Sequence, residues 1–509
     1  MAQELRSINL VAPAFKGVNT EDSPIAQDPS FAEIADNAVI DKRGRIAARK
    51  GYSVDTTDKT QLGTDSIRAI KEFRDSAGNN KIFSVGNNKI LSGTTTLVDE
   101  TPGSYTITAD NWKMVNFNDK IYFFQRGYEP LVYDNAGGAV IKLSTVSGAA
   151  GVASTMYGNE VLSAYGRLWT ADFTGDKSTV YWSDLLIGHD WSGGTSGSLD
   201  ISKVWPDGYD EIVALAAHNG LLIIFGQHSI VVYQGAEAPA MMSLSDTVAG
   251  VGCVDRDTVQ HTGTDVLFLS HTGLRSFGRT IQQKSMPLQT LSRTITKDLI
   301  ALIQNESSFF RSVYSPEENF YLLTFVGQVT TFCFDLRGAL EDGSLRVTRW
   351  PSSVFTAYER RQNGTLFVGS SKGISTYTGF QDDGASYRFK YYSPSLTFGD
   401  PSKLKFIKKI KPTVVGASGE IASIKYAYDF RESYQSVTFN IPNVATSSEY
   451  NVAEFNIDEY SESSQSATQK RLNATGSGST VVVGLEADID GFSLSLQEIN
   501  ILALVGKTV

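Results

Sequence analysis

The sequence contains few of the residues on which disulfide scaffolds depend. Only two cysteines, Cys253 and Cys333, occur among its 509 residues. They lie in separate hydrophobic runs, a setting typical of buried, reduced thiols in a protein that assembles in a cytoplasm. A fold held together by disulfide bonds is therefore excluded.

Positive charge is also in deficit. The chain has 45 Lys and Arg residues against 55 Asp and Glu residues, which gives a net charge of −10 at pH 7. A protein that holds DNA without sequence preference needs a basic face, because its affinity comes from releasing the counterions of the phosphates. The composition thus excludes tight, non-specific DNA binding as the main activity.

Long hydrophobic runs are missing. A membrane-spanning helix needs about 18 consecutive apolar residues, and the longest apolar run, near 212–225, is interrupted by His218, Asn219 and Gly220. The first residues do not combine a basic stretch with an apolar one, so they do not predict a secretory signal. We predict no stable membrane insertion by this protein alone.

Sequence signatures of enzymes are scarce as well. The chain lacks the phosphate-binding loop, the Gly-x-Ser-x-Gly turn, the His-Glu-x-x-His pair and the Cys-x-x-Cys pair. His261 and His271 suggest either a metal pair or turn residues at the two ends of one strand, and the second interpretation is favoured. Asp488-Ile-Asp490-Gly resembles part of a calcium loop but lacks the remaining ligands. We predict a protein that is not an enzyme and that has no metal or cofactor.

What the sequence does contain is β-strand pattern. It has 27 Phe, 22 Tyr and 45 Gly but only 14 Pro, and its apolar residues fall in short alternating runs that are typical of strands. Pairs of such runs, joined by turns rich in Gly, Asn and Asp, recur along the chain. Their first strands begin near residues 81, 120, 167, 221, 265, 320 and 365.

This spacing predicts the architecture. A hairpin every 40–50 residues or so matches the blade of a β-propeller, whose small sheets bury their faces only against neighbouring blades. One or two β-sandwiches would also contain regular hairpins and are the alternative. We predict a mainly β protein: a β-propeller of six or seven blades, an additional C-terminal β-rich domain and a few short helices.

The same pattern sets the predicted boundaries. We place an N-terminal segment with a short helix and a hairpin, packing on the ring, at 1–60, the propeller at 61–384, and an acidic β-rich domain at 385–509.

Two segments predict helices. Residues 28–36 begin with an Asp cap followed by Pro, and residues 292–304 place Ile295, Leu299 and Leu302 on one helical face.

Charge clusters supply the candidate functional residues. Strand alternation would place Lys403, Lys405, Lys409 and Lys411 on one face and Lys408 on the other, as a phosphate-facing stripe or, by the favoured interpretation, as a face towards solvent or another subunit. From Lys411 onward the chain has twelve acidic and six basic residues. The candidate residues for a DNA channel or a subunit contact are Lys403, Lys405, Lys408, Lys409, Lys411, Glu486, Asp488 and Asp490.

Several segments resemble a known family. They lie in this order: Gly17–Pro24, Asp28-Pro29, Asn37, Arg43-Gly44, Arg49–Tyr52, Val180–Asp184, Asp190-Trp191, and Ser393–Gly399 with Lys405 and Lys408. Together they are similar to the tail nozzle proteins of short-tailed bacteriophages, also called tail tubular proteins B, and to the DNA-stabilisation hub proteins. The hairpins lie between these segments, so the similarity extends over nearly the whole chain.

The resemblance implies a structural virion protein that assembles in the host cytoplasm. Six copies would form a ring below the portal adaptor, contact tail fibre or needle proteins, and retain and then conduct the viral double-stranded DNA. Acidic walls repel phosphates over about a Debye length of ~8–10 Å, so we expect the acid-rich region 412–509 at the lumen or the distal rim. Two alternatives remain open: a propeller that binds or cleaves host-surface glycans, and a monomeric scaffold.

Overall fold

The protein is described here from a computed structural model. The structure describes residues 4–11, 14–152, 157–282, 290–431, 433–442 and 467–508. The chain divides into two compact units. The propeller unit comprises Val54–Val329 and Ser353–Tyr377, and the sheet unit comprises Met1–Ser53, Thr330–Ser352 and Thr378–Val509.

The described part of the propeller unit contains six separate antiparallel sheets and one hairpin. Blades 1 to 3 consist of Ala69–Arg74, Asn80–Gly86, Lys89–Ser92 and Val98–Asp99; Lys113–Phe117, Lys120–Gln125, Tyr128–Asp134 and Val140–Lys142; and Glu160–Ala164, Arg167–Ala171, Thr179–Trp182 and Gly197–Asp200. Blades 4 and 5 consist of Ile212–His218, Leu221–Gly226, Ile230–Gln234 and Ser243–Val248; and Gln260–His261, Val266–Ser270 and Gly273–Ser276. Hairpin 6 consists of Phe310–Ser315 and Phe320–Phe325, and blade 7 of Ala357–Arg360, Leu366–Ser370 and Gly373–Tyr377. The strand Tyr52–Val54 spans the boundary between the two units.

These elements close into a ring. The first strand of each blade contacts the corresponding strand of the next, through the turn Arg256–Thr258 at blade 5, and the first strand of blade 7 contacts that of blade 1. The backbone amides of Asp55 and Thr56 donate to the carbonyl of Ile374 at 3.0 and 3.3 Å, which joins the start of the unit to its last blade. The predicted β-propeller of six or seven blades is confirmed; the number depends on whether hairpin 6 is counted.

Apolar side chains fill the seams between blades. Phe83 of blade 1 meets Phe123 of blade 2 edge to face with 5.4 Å between ring centroids, and Phe225 of blade 4 lies 4.9 Å from Phe268 of blade 5. These rings are almost completely buried, and burying such a side chain contributes roughly 1.5–3 kcal/mol. The alternating apolar residues of each blade are therefore explained by contacts with two neighbours.

The helices are short. The α-helices are Phe277–Gln282 and Thr296–Asn305, and 3-10 turns lie at Leu143–Thr145, Pro239–Met241, Arg256–Thr258 and Arg293–Ile295. The helix predicted at 292–304 is confirmed as the turn Arg293–Ile295 followed by Thr296–Asn305, with Ile295 and Leu299 buried.

The helix predicted at 28–36 is wrong. The Asp28 carboxylate accepts from the Ser30 amide at 2.9 Å and closes a turn, after which Ile34–Asp36 pairs antiparallel with Tyr387–Tyr392. An Asp-Pro pair starts turns as well as helices. Here the turn forms, because the residues that follow it pair with the distant strand Tyr387–Tyr392.

Two sheets make up the described part of the sheet unit. One contains, in order, Ala38–Ile40, Ile46–Ala48, Leu494–Thr508, Lys403–Gly416 and Ala467–Gln469, with Glu4–Leu10 paired to Leu494–Thr508 and Leu472–Asn473 paired to Lys403–Gly416. The other contains, in order, Thr330–Ala339, Leu345–Pro351, Ile34–Asp36, Tyr387–Tyr392, Val481–Ile489, Ile421–Tyr428 and Gln435–Asn440. The C-terminal region is thus β-rich, as predicted.

The unit boundaries differ from the predicted ones. Residues 1–53 supply strands to both sheets and are not a separate segment, and residues 330–352 belong to the sheet unit although their strand pattern reads like that of a blade. Cys253 and Cys333 are both buried, as predicted.

Candidate functional site

A cavity lies between the inner strands of the propeller. We call it the axial cavity; its volume is about 150 Å³, and residues of blades 1, 2, 5 and 7 and of hairpin 6 line it. Most of its charged and amide side chains come from the starts of inner strands or from the turns before them. They are Arg68, Asn111, Lys113, Arg256, Asp257, Gln260 and Arg311.

Arg311 connects most of this wall. Its Nη1 donates to the Asp257 carboxylate at 2.9 Å and its Nη2 to the Asn111 side-chain oxygen at 2.7 Å. Its Nε donates to the backbone carbonyls of Arg68 and Thr356, both at 3.2 Å. Because only 5% of Arg311 is exposed, these bonds form away from water and hold hairpin 6 to blades 1, 2, 5 and 7.

Arg256 is the second buried guanidinium. It begins a 3-10 turn that the Asp255 side chain caps by accepting from the Asp257 amide. Its Nη1 donates to the Asn159 side-chain oxygen at 3.0 Å, and its Nη2 donates to the Asn111 carbonyl. Its buried Nε has no hydrogen-bond partner among the described residues, and the Asp257 Oδ1 atom lies 3.6 Å away.

The carboxylates in and behind the wall have shifted pKa values. Lys113 donates to both oxygens of the fully buried Glu160, at 2.6 and 2.7 Å. Burial raises the pKa of Glu160, against the opposing effect of Lys113, and burial together with the charge of Asp257 raises the pKa of Asp255 to about 6. Burial also acts to raise the pKa of Asp257, but Arg256 and Arg311 more than offset it and the pKa falls below its ordinary value.

A second cavity adjoins the first. We call it the outer cavity; its volume is about 410 Å³, and its wall shares Gln260, Ser312 and Tyr358 with the axial cavity. Tyr314 and Arg360 lie on its remaining wall. This volume lies within the ~300–1,000 Å³ range of ordinary ligand pockets.

The histidines form pairs between neighbouring blades. His261 of blade 5 lies 6.4 Å from His218 of blade 4, and His271 stacks on His228 at 5.4 Å, both measured between ring centroids. His261 and His271 therefore do not pair with each other, and the described residues hold no group of three metal-ligating side chains. His271 is a turn residue directly after Val266–Ser270, as predicted, whereas His261 is not a turn residue but belongs to the preceding strand Gln260–His261.

The predicted lysine stripe is not one face. Lys405 is completely buried, and its Nζ donates to the backbone carbonyls of Ser479, at 2.6 Å, and Asp400. Lys408 is exposed, whereas Lys409 and Lys411 are partly buried. The pairing with Leu494–Thr508 shifts register near Lys405 and again near Lys408, and each shift resets the alternation of faces. Lys403 pairs with Asp400 at 3.1 Å.

The predicted acids lie on a different sheet from the lysines. Glu486 and Asp488 flank Arg388, at 2.6 and 2.7 Å, and Asp490 accepts from the Gln381 side chain at 2.7 Å. The structure does not join the two predicted sets, and no member of either set lines the axial cavity. Six of the twelve acids in the C-terminal region lie outside the described residues: Glu432, Glu449, Glu454, Asp458, Glu459 and Glu462.

The axial residues could not be found from the sequence because they are far apart in the chain. Arg68 and Arg311 are separated by 243 positions, and no short motif joins them. The available signal was a charged residue in the first or second position of a strand that also contains buried apolar residues, as with Lys113, Glu160 and Arg311.

No protein-family model matches the chain, and no curated protein matches it either. Among solved structures, an extracellular domain from B. thetaiotaomicron is 10% identical with a TM-score of 0.43, over 80% of this chain and 58% of that one. This chain therefore spans little more than half the length of that protein.

The Neurospora crassa Pan2 WD40 domain is 8% identical with a TM-score of 0.36, over 65% of this chain and 94% of that one. The computationally designed Ika8 protein is 12% identical with a TM-score of 0.35, over 64% and 100%. At such identities a likeness concerns the fold alone. In the described residues, no helix is long and apolar enough to cross a bilayer.

Proposed function

We propose that this chain is a structural protein of a short phage tail, a nozzle subunit whose copies form a ring around a lumen for DNA. Support comes from one observation: the N-terminal residues at which the sequence resembles nozzle proteins occupy positions where the fold of the sheet unit demands that residue type. A resemblance that falls on residues which the fold constrains in this way supports the proposal.

Arg49 is the clearest of these residues. Its two Nη atoms donate to the Asp382 carboxylate at 2.8 and 2.7 Å, and its Nε donates to the Asn37 side-chain oxygen at 3.1 Å. Its guanidinium lies over the rings of Tyr387 and Trp350, 4.2 and 5.6 Å from their centroids. A planar, bidentate and stacked site of this kind suits arginine and not lysine.

Asn37 and Gly17 are equally constrained. Asn37 has a φ of +52° and donates from its side chain to the Arg388 carbonyl at 2.8 Å, which joins it to a strand 351 positions away. Gly17 has a φ of +95°, and a Cβ atom there would lie 2.6 Å from the Val347 backbone nitrogen. Both positions reject most side chains.

The propeller axis bears on where DNA would pass. Arg311 and its partners occupy the axis, and the cavity beside them measures only about 150 Å³, far too little for a duplex. A DNA lumen would therefore lie between copies of the chain, as heterologous contacts that close into a ring allow.

The test is the oligomeric state of the purified full-length chain, alone and mixed with the portal-adaptor ring of the same virion. Native mass spectrometry and particle images should show a six-fold ring in at least the mixture. Arg49→Lys should weaken ring formation through the sheet unit, whereas Arg74→Gln, on an exposed residue of blade 1, should not. A chain that stays monomeric in both samples would refute the proposal.

The outer cavity favours a second candidate function, a propeller that binds or cleaves host-surface glycans. Tyr314, Tyr358 and Arg360 line a space of about 410 Å³, and aromatic rings with a few polar groups are typical of ligand pockets. Glycan-array binding that is lost on Tyr314→Ala, or glycan hydrolysis by the isolated chain, would support this function over the nozzle.

A further inference from the structure

We propose that the axial cavity is a binding site for a small oxyanion, either free or as the anionic end of a larger molecule. The site is independent of the nozzle function, because it is built entirely by the propeller unit. Charge, unpartnered donors and size each point to an anion.

The wall carries more positive than negative groups. Arg68, Lys113, Arg256 and Arg311 line the cavity, against a single lining carboxylate, that of Asp257. Three of the four cations have a carboxylate within hydrogen-bonding distance: Lys113 has Glu160 at 2.6 Å, Arg311 has Asp257 at 2.9 Å and Arg68 has Asp65 at 3.1 Å.

Arg256 is the exception. Its closest carboxylate contact among the described residues is the 3.6 Å approach of Asp257 to its Nε, and only 4% of the residue is exposed. A buried cation gains most from an acceptor that is itself charged. The cavity therefore has one guanidinium whose charge the wall does not neutralise through a hydrogen bond.

The buried polar side-chain atoms on this wall that lack a hydrogen-bond partner among the described residues are all donors. The buried side-chain atoms lining the cavity that lack a hydrogen-bond partner in the described part of the chain are the Nε atoms of Arg68 and Arg256. Asp110 approaches the Arg68 Nε only to 3.9 Å. A guanidinium can donate but not accept, so a group that binds either guanidinium from the cavity must supply acceptors.

The size of the cavity fits such an occupant. About 150 Å³ is several times the ~30 Å³ share of one water molecule, which leaves room for a phosphate or carboxylate group. The shared wall at Gln260, Ser312 and Tyr358 would let the remainder of a larger ligand extend into the outer cavity.

The experiment is calorimetric titration of the full-length chain with inorganic phosphate, at constant ionic strength set with chloride. We expect one phosphate per chain. Asn111→Asp is the main variant, because its carboxylate can still accept from Arg311, as the Asn111 side-chain oxygen does at 2.7 Å, while placing a negative charge on the wall. It should weaken phosphate binding at least tenfold.

Two further variants keep the test decisive. Arg256→Lys retains the charge but removes the planar donor set, so it should also weaken phosphate binding. It takes the place of Asn111→Asp if that variant does not fold. Arg74→Gln removes one exposed cation whose partner is Gln362, at 2.9 Å, and should leave binding unchanged. No phosphate binding above the chloride background, equal binding by Asn111→Asp, or equal loss in Arg74→Gln would each overturn the proposal.

A parallel titration with a sugar phosphate distinguishes the source of the anion. Tighter binding than phosphate, reversed by Tyr314→Ala, identifies a larger ligand that uses both cavities. Binding no tighter than phosphate identifies the free ion.

Discussion

Replacement of Arg311 by Met tests how the propeller axis is held. The substitution keeps much of the side-chain volume but removes every donor that ties hairpin 6 to the Asp257 carboxylate, to Asn111 and to the carbonyls of Arg68 and Thr356. Removing one partner of a buried ion pair typically costs about 3–5 kcal/mol, because the remaining charge is left without compensation. We expect the free energy of unfolding to fall by that amount.

The assay is urea denaturation followed by tryptophan fluorescence, with Arg126→Met as the control. Arg126 also pairs with a carboxylate, that of the buried Asp172, but the Arg126 side chain is 39% exposed and Asp172 keeps Lys177 as a second cationic partner. We therefore expect Arg126→Met to cost about 0–1 kcal/mol. We further predict that Asp257→Asn restores part of the loss in the Arg311→Met background, since it removes the stranded charge. A cost below about 1 kcal/mol for Arg311→Met, or additive losses in the double variant, would refute this account of the axis.

Three further predictions concern other parts of the molecule. Burial and the neighbouring His228 lower the pKa of His271, so on acidification this histidine is protonated in the unfolded chain before it is protonated in the folded one. The free energy of unfolding should therefore fall as the pH drops below about 6.5. In thermal melts, His271→Gln should make this fall smaller. Lys405→Met removes the donor that bonds the part-buried carbonyls of Asp400 and Ser479, and it should lower the free energy of unfolding by about 1–3 kcal/mol. Lys408→Met, at an exposed position, should change it by less than about 0.5 kcal/mol. Gly17→Ala, at a φ of +95° with the clash described above, should cost at least about 1–3 kcal/mol, and an unchanged denaturation midpoint would contradict this backbone constraint.

The strand pattern was sufficient to predict the propeller because every blade must bury its apolar faces against two neighbouring blades, so the same pattern recurs. A strand such as Leu366–Ser370 is buried along its whole length, so its apolar run, its turn and its spacing are all visible in the sequence. The alternation of apolar residues does not predict, however, which sheet a strand will join. Thr330–Ala339 contains a buried apolar run, at 332–334, like that of a blade strand, yet it belongs to the sheet unit.

The candidate site was harder to predict for two separate reasons. The prediction that the lysines share one face was wrong because the strand shifts register against its partner. Such shifts depend on the partner strand and cannot be recognised from the alternation of residues in Lys403–Lys411. The axial cavity was missed because its residues meet only after the ring has closed. Charged residues in apolar strands, such as Glu160, would have indicated buried ion pairs but not their common location.

The pairing of Glu4–Leu10 with the strand Leu494–Thr508 has a consequence for biosynthesis. Ribosomes add about 5–20 residues per second, so the first strand emerges roughly 25–100 s before the segment that covers it. During that interval the nascent chain exposes an unpaired edge, while the blades, whose partners are close in sequence, can already form. Misassembly on crowded polysomes would therefore begin at the unpaired strand Glu4–Leu10, and a chaperone that shields this strand would raise the yield of native protein.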